Sequence, residues 1–298
     1  MRLSAFSLGA GALIHFAPNL AFAEGVKRTL RGKNGEAPTP FSFVQLSDTH
    51  VGFNGPPDPL GTAAFERAVN VINALDPRPD FVLFTGDLTH DAEDAGEHAK
   101  RFKKFREIES QLKVKTLHHV PGEHDAALDG GTLFRENFGE THYSFDHRGV
   151  HFVAIDNVSQ GRPRVGKEQL AWLQKDLARY TKSTPIVVFT HRPLFDLKPE
   201  WEWFTSDGDD TMKILAPFDA VTVLYGHIHR ENHATLGNAK HHASPSLIFA
   251  NPDPSVAEKK PLPFDKDHPF NNLGVVEITS QKLSGTEGVQ QILKEVTL

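Results

Sequence analysis

From Phe41 onward, short apolar runs alternate with stretches in which apolar residues recur at helical spacing. Phe41, Phe43, Val44 and Leu46 make the first run; Phe65, Ala68, Val69, Ile72 and Leu75 then mark one face of a helix. Phe81-Val82-Leu83-Phe84 predicts a buried strand, and Phe102, Phe105, Ile108 and Leu112, set among Lys, Arg and Glu, predict a second amphipathic helix. Residues 117–120 and 150–155 are further strand candidates, Leu170, Leu173 and Leu177 mark a third helix, and residues 185–189 and 221–224 add two more strands. Such alternation predicts an α/β domain around a largely buried sheet. After Arg230 the strand signals continue without clear helices, which predicts a second, more antiparallel sheet. Residues 251–272, rich in proline and charge, read as a long surface loop.

The first 40 residues do not share this pattern. Residues 1–23 carry Arg2, a mostly apolar run and then Ala21-Phe22-Ala23, the small-x-small ending of a secretory signal peptide. Gly, His15 and Pro18 within the run make it a poor permanent membrane span, and without a twin-Arg pair a Sec-type route to the periplasm or the exterior is the simpler expectation. Residues 24–40 read as a tether and residues 41–298 as one domain. A net charge of −6, spread along the chain, gives no electrostatic case for binding a nucleic-acid polymer. The absence of cysteine excludes thiol nucleophiles, disulfide scaffolds and Cys-zinc sites. With 17 histidines, the chain offers nitrogen and oxygen ligands, which suit Mn, Fe, Zn or Ni better than soft metals.

One pattern recurs five times: an apolar strand ends, and within a few residues a metal-ligating side chain follows. The endings are Ser47-Asp48-Thr49-His50, Thr85-Gly86-Asp87, Pro121-Gly122-Glu123-His124-Asp125, Thr190-His191 and Tyr225-Gly226-His227-Ile228-His229. Each alone is weak, but parallel strands bring all five loops to one sheet edge, where ligands of open α/β sheets bind. Gly86, Gly122 and Gly226 are read as permitting tight turns there. Two adjacent cations need a bridging carboxylate and separate His and carboxylate groups for each ion. Asp48, His50, Asp87, Glu123, His191, His227 and His229 supply that set. Such a pair holds a bridging hydroxide as nucleophile and clamps the oxygens of a phosphoryl group. His124 is placed to protonate the leaving oxygen, and Asp125 to orient His124.

These motifs, Asp48-x-His50, Gly86-Asp87, Gly122-Glu123-His124-Asp125, His191 and Gly226-His227-x-His229, resemble those of the calcineurin-like metallophosphoesterases. The resemblance runs from Phe41 to at least Arg230, and the chain looks most like small bacterial phosphodiesterases that include the class III cyclic-nucleotide enzymes. It implies an α/β/β/α four-layer sandwich of two mixed sheets with two metal ions at one edge, Mn²⁺, Fe²⁺/Fe³⁺ or Zn²⁺. It also implies that Asp48, His50, Asp87 and His229 hold one ion, that Asp87 bridges, that Glu123, His191 and His227 hold the other, and that His124 is the catalytic acid. There is one departure: the family's motif has Asn where this chain has Glu123. A carboxylate there either ligates, favouring metal retention at some loss of Lewis acidity, or swings away and weakens the second site.

The implied activity is hydrolysis of small-molecule phosphodiesters or phosphomonoesters by an exported enzyme. The alternatives are a metal-binding scaffold of the same fold with little turnover, or a phosphoesterase acting on protein or lipid. Arg192 is a candidate substrate-phosphate ligand. His90 reads as a solvated loop residue, one of His118 and His119 as facing the interior, His241 and His242 as near the site or on the surface, and Asn157 as a turn residue. Trp201, Trp203 and Phe204 read as packing of a loop more than as a stacking surface. Specificity is expected in residues 52–60, 157–166, 196–210 and 251–272; nothing in the sequence sets the oligomeric state.

Overall fold

The structure, a computed structural model, describes residues 39–126, 128–282 and 289–298. The predicted export segment, 1–23, and all but the end of the predicted tether lie outside them. The first half of the chain forms β1 (Phe41–Leu46), α1 (Ala63–Ala74), β2 (Phe81–Thr85), α2 (Ala95–Glu109), β3 (Leu117–Val120), α3 (Glu123–Ala126), α4 (Thr132–Phe138), β4 (Tyr143–His147) and β5 (Val150–Ala154). The second forms α5 (Lys167–Leu177), β6 (Ile186–Phe189), α6 (Gly208–Leu215), β7 (Val221–Tyr225), β8 (Asn232–Leu236), β9 (Ala239–Ala243), β10 (Gly274–Lys282) and β11 (Val289–Thr297).

Strand periodicity sorts the apolar residues into layers. Successive side chains point to opposite faces, so Phe41 and Phe43 of β1 point one way and Val44 and Leu46 fall into a different cluster. Phe41, Phe43, Phe81, Leu83, Phe152, Ala154, Val187 and Phe189 pack together between the two sheets. Val44, Leu46, Val82 and Phe84 pack instead on Phe65, Val69, Ile72, Phe102 and Phe105 of α1 and α2. On the far side, Val153, Ile186, Val188 and Val223 pack on Leu173, Leu177 and Leu215 of α5 and α6. The result is the four-layer α/β/β/α sandwich, and burial on both faces explains why the central strands read as continuous apolar runs. Phenylalanines join the sheets at the middle: Phe152 of one sheet meets Phe43 and Phe81 of the other edge-on at 5.5 and 5.3 Å, and Phe43 and Phe81 stack on each other at 4.8 Å. Helix α2 has few apolar residues, but its stripe of His98, Phe102, Phe105 and Ile108 is buried and the Asp94 side chain caps it by accepting from the Glu97 N–H at 2.8 Å.

Sheet order is β11-β10-β1-β2-β3 in one sheet and β4-β5-β6-β7-β9-β8 in the other. Strands β1, β2 and β3 are mutually parallel, as are β5, β6, β7 and β9. The expectation of a separate antiparallel sheet after Arg230 is corrected here. Strands β8 and β9 extend the sheet of β5–β7, whereas β10 runs antiparallel beside β1 and carries β11. Periodicity identifies a strand but not the edge it will pair with. Strand β10 goes to β1 because Val275 fits the helix-covered side while Val276 and Ile278 fit the inter-sheet layer.

Phe152→Ala is expected to lower stability by about 3–5 kcal/mol through the inter-sheet cavity it leaves. Ile292→Ala, at a position 44% exposed, should change it by less than about 0.5 kcal/mol. Midpoints of urea unfolding compare the two; equal shifts would contradict this placing of the core.

Candidate metal centre

The five loops that follow β1, β2, β3, β6 and β7 bring every sequence-predicted ligand to one edge of the sandwich. The chain leaves the strands through left-handed turns that few L-residues adopt: Asp48 has φ 56°, His50 40°, Asp87 51°, His227 66° and His229 53°. Five such residues in one site cost on the order of 1–3 kcal/mol each and persist only where surrounding contacts fix them. Here the Asp48 N–H donates to Gly86 O at 3.0 Å, the His50 N–H to Asp87 O at 2.9 Å, and the His227 N–H to the Asp48 carboxylate at 3.1 Å. Of the three motif glycines only Gly86 has positive φ, 94°. Gly122 and Gly226 are needed for close approach rather than for a turn. A Cβ on Gly122 would lie 2.0 Å from Asp87 Oδ1, and one on Gly226 1.8 Å from Ser47 Oγ.

The ligand atoms fall into two groups that share Asp87. Asp48, His50, Asp87 and His229 form one, and Asp87, Glu123, His191 and His227 the other, with ligand atoms within 4.8 Å of one another in each. Asp87 Oδ2 lies 3.4 Å from His50 Nε2 and 3.2 Å from His191 Nε2, at the junction. Each imidazole is turned inward by its other nitrogen. His191 Nδ1–H donates to Thr85 O at 2.7 Å, His229 Nδ1–H to Phe249 O at 3.0 Å, and His227 Nε2–H to Glu202 O at 3.0 Å. These bonds fix the tautomers that leave Nε2 of His191 and His229 and Nδ1 of His227 free to ligate. His50 Nδ1 faces His90 Nδ1 at 3.1 Å, so His90 backs a ligand instead of sitting in solvent.

The donor set fits two cations. Three carboxylates, from Asp48, Asp87 and Glu123, stand among buried histidines, an arrangement that needs positive charge to offset desolvation and mutual repulsion. Glu123 Oε2 and His191 Nε2 are 2.8 Å apart, yet both are buried atoms without a properly aligned hydrogen bond. Both side chains belong to the same ligand group. Glu123 is turned inward, its Oε1 2.8 Å from His227 Nδ1 and 3.2 Å from Arg192 Nη2. Burial opposes ionisation of Glu123, but His227, His191 and Arg192 hold its carboxyl well below the usual range.

His124 lies beside the ligands, its Nε2 3.8 Å from Asp87 Oδ2 and its Nδ1 2.8 Å from Asp91 Oδ1. Burial disfavours its charge, but Asp87, the pairing with Asp91 and Glu123 push it up to about 10. The expected orienting role of Asp125 is corrected. Its carboxylate is fully buried and accepts from the N–H groups of Leu88, Thr89 and Gly122 and from Thr89 Oγ1, all within 3.0 Å. It ties the β3 loop to the β2 loop, while Asp91 faces His124. Asp91 escaped the sequence reading; the available signal was an acidic residue four positions after Asp87 in the same loop.

Arg192 is buried and its fork is engaged, with Nη1 donating to Glu202 O at 2.8 Å and Nη2 paired with Glu123. Asn157 holds the backbone of Arg192 from both sides, at 3.2 Å and 2.9 Å. Trp203 is fully buried with Trp201 edge-on at 4.8 Å, packing their loop onto Tyr225 and Ile228. His119 pairs with Glu109, His118 stacks on Phe145 at 3.8 Å, His241 packs against Phe195 at 5.1 Å and His242 faces His233. None of these four is in the ligand groups.

A family model described as Calcineurin-like phosphoesterase matches residues 41–231. A probable glycerophosphodiester phosphodiesterase, GpdQ, of Arcobacter nitrofigilis is 28% identical over 65% of this chain and 74% of its own. The serine/threonine-protein phosphatase CPPED1 of Danio rerio is 28% identical over 64% of this chain and 71% of its own. Among solved structures, the purple acid phosphatase PPD1 of yellow lupin superposes with a TM-score of 0.64 at 13% identity, over 87% of this chain and 52% of that one, a likeness of fold. Fold and site thus define a dimetal phosphoesterase. The chain belongs to the calcineurin-like phosphoesterase family and is a hydrolase of phosphoric ester bonds.

His124→Ala is expected to lower turnover by about 10²–10⁴-fold while metal content stays at the wild-type value. Asp91→Asn, which keeps the volume but removes the charge facing Nδ1, should fall between the two. Steady-state rates with elemental analysis of the same preparations check this; unchanged turnover in His124→Ala would remove it from the chemistry.

Proposed function

We propose that this protein is a phosphodiesterase of small-molecule substrates. The observation that carries this reading is a cavity of about 370 Å³ against the second ligand group, lined by Glu123, Val158, Ser159, Arg162, Pro163, Arg192 and Glu202. Beside the first group stands an aromatic wall: Phe249 is 4.6 Å from the His229 ring and 5.3 Å from Phe53. The ligand cluster therefore has room for one ester group on the Glu123 side and an apolar surface of Phe249 and Phe53 beside the first group for a second. Electrostatics favour the same choice. Glu123 adds a negative charge where the family has an amide, and Arg192 is committed to Glu123. A monoanionic diester is repelled less than a dianionic monoester.

Asp48, His50, Asp87 and His229 would hold one ion, and Asp87, Glu123, His191 and His227 the other. Bound there, the pair supplies Lewis-acid polarisation of the phosphoryl oxygens and a water of lowered pKa. His124 holds a proton at Nε2, on the side facing the cluster, and gives it to the leaving ester oxygen. Val158, Ser159, Gly161, Arg162 and Pro163, with Glu202 of the 196–210 loop, line the cavity and set the shape of the ester group accepted.

With Mn²⁺ bound, kcat/KM for bis(p-nitrophenyl) phosphate is expected to exceed that for p-nitrophenyl phosphate by about tenfold or more, near 1.4 kcal/mol of transition-state preference. A preference for the monoester would replace the diesterase reading with a phosphomonoesterase. We also propose, from the composition of residues 1–23, that the protein is exported. Its mature form should then be recovered outside the cytoplasm beginning at Glu24, as read by N-terminal mass spectrometry. An intact Met1 in the cytoplasmic fraction would overturn this.

A further inference from the structure

The departure at position 123 comes with a second feature of this chain. Glu123 Oε1 is met by Arg192 Nη2 at 3.2 Å, and the Arg192 side chain is only 7% exposed. The other arm, Nη1, donates to the backbone oxygen of Glu202 at 2.8 Å. That same oxygen accepts from His227 Nε2 at 3.0 Å. One carbonyl thus holds both the guanidinium that faces Glu123 and the back of a histidine in the same ligand group. It is aimed by a left-handed turn at Glu202, φ 60°, in the loop anchored by buried Trp203. The Glu202 side chain contributes little, being 72% exposed with its carboxylate 3.8 Å from Arg192. The backbone that carries the guanidinium is held as well: Asn157 brackets the Arg192 backbone and donates to Thr205 Oγ1 at 2.8 Å, which donates to Pro193 O at 2.8 Å.

We propose that Arg192 and the Glu202 carbonyl form a clamp that lets a carboxylate serve at position 123, so that Arg192 is a positioning residue for the second metal site and not a substrate ligand. A neutral amide ligand carries no charge to balance, whereas a carboxylate beside Asp87 does. The guanidinium supplies the balancing charge and fixes Oε1 toward His227, leaving Oε2 on the side of His191 Nε2, 2.8 Å away within the same ligand group. Without its carboxylate the buried guanidinium becomes an uncompensated cation next to a cation site, and without its guanidinium the carboxylate is free to turn. The two positions are therefore coupled: each single replacement harms the site more than both together. The proposal rests on the dimetal reading of the centre, but not on which ester the enzyme cleaves.

The test is a double-mutant cycle on the full chain, read by Mn²⁺ titration calorimetry and elemental analysis. Arg192→Gln and Glu123→Asn are each expected to weaken the second Mn²⁺ by about 10–100-fold while the first stays bound. The double variant should recover at least about tenfold of that loss. Glu202→Gln should stay within about twofold of wild type, because the carbonyl is retained. If Arg192→Gln fails to fold, Arg192→Lys replaces it in the cycle; keeping the charge without the fork, it should weaken the second ion by less than a loss of charge does. Additive effects, or an Arg192→Gln protein that binds both ions as wild type and only raises KM, would overturn the clamp. So would a wild-type chain that takes up a single ion. A wild-type chain that takes up two ions but prefers the monoester would overturn the diesterase reading alone and leave the cycle to be read.

Discussion

Asp87 is the group on which the rest of the site depends. Its carboxylate is buried, belongs to both ligand groups, and stands within 3.4 Å of a histidine from each sheet, His50 and His191. A charge in that position is tolerable only if other groups are aimed at it with little freedom, because a buried carboxylate loses several kcal/mol of hydration. The surroundings meet that demand through backbone. The His124 N–H donates to Asp87 Oδ1, Gly122 comes too close for any side chain, and the left-handed turns at Asp48, His50 and Asp87 place three ligands within five residues of two strand ends.

The sandwich is what makes those turns affordable. Phenylalanines packed between the sheets fix β1 and β2 against β5 and β6, so loops from two sheets meet at one edge, where contacts such as His227 N–H to Asp48 and His191 Nδ1–H to Thr85 O lock them together. Aligned histidines then need only one backing contact each, and those contacts come from the Thr85, Glu202 and Phe249 carbonyls and from His90. Strain in the turns and burial of charge are thus offset by packing some distance from the chemistry, in keeping with the way strained residues gather at functional sites.

The neighbourhood of Glu123 shows how a change of ligand chemistry spreads outward. The Glu123 carboxylate is faced by the Arg192 guanidinium, the guanidinium donates to the Glu202 carbonyl, and that carbonyl belongs to a loop fastened by two tryptophans. The same chain of contacts makes one wall of the adjoining cavity. The residue at position 123 and the shape of that cavity are for that reason linked.

Much of this was legible in the residues. Period-two and period-3.6 patterns located the parallel strands and the main helices, because burial on both faces of a sheet and on one face of a helix imposes those spacings. Candidate ligands recurring just past strand ends marked the residues that gather at one edge, because parallel strands deliver their carboxyl ends there. What the sequence by itself determined was therefore the central strands, three of the helices and the seven candidate ligands that gather at one edge. Tertiary structure alone decided which strand edge β10 would pair with, that Asp91 rather than Asp125 faces His124, that Gly122 and Gly226 are there for proximity, and that Arg192 is engaged by Glu123. Each of these is a contact between segments distant in the chain or between side chains whose direction is set by packing, and no local pattern of apolar and polar residues encodes such a direction.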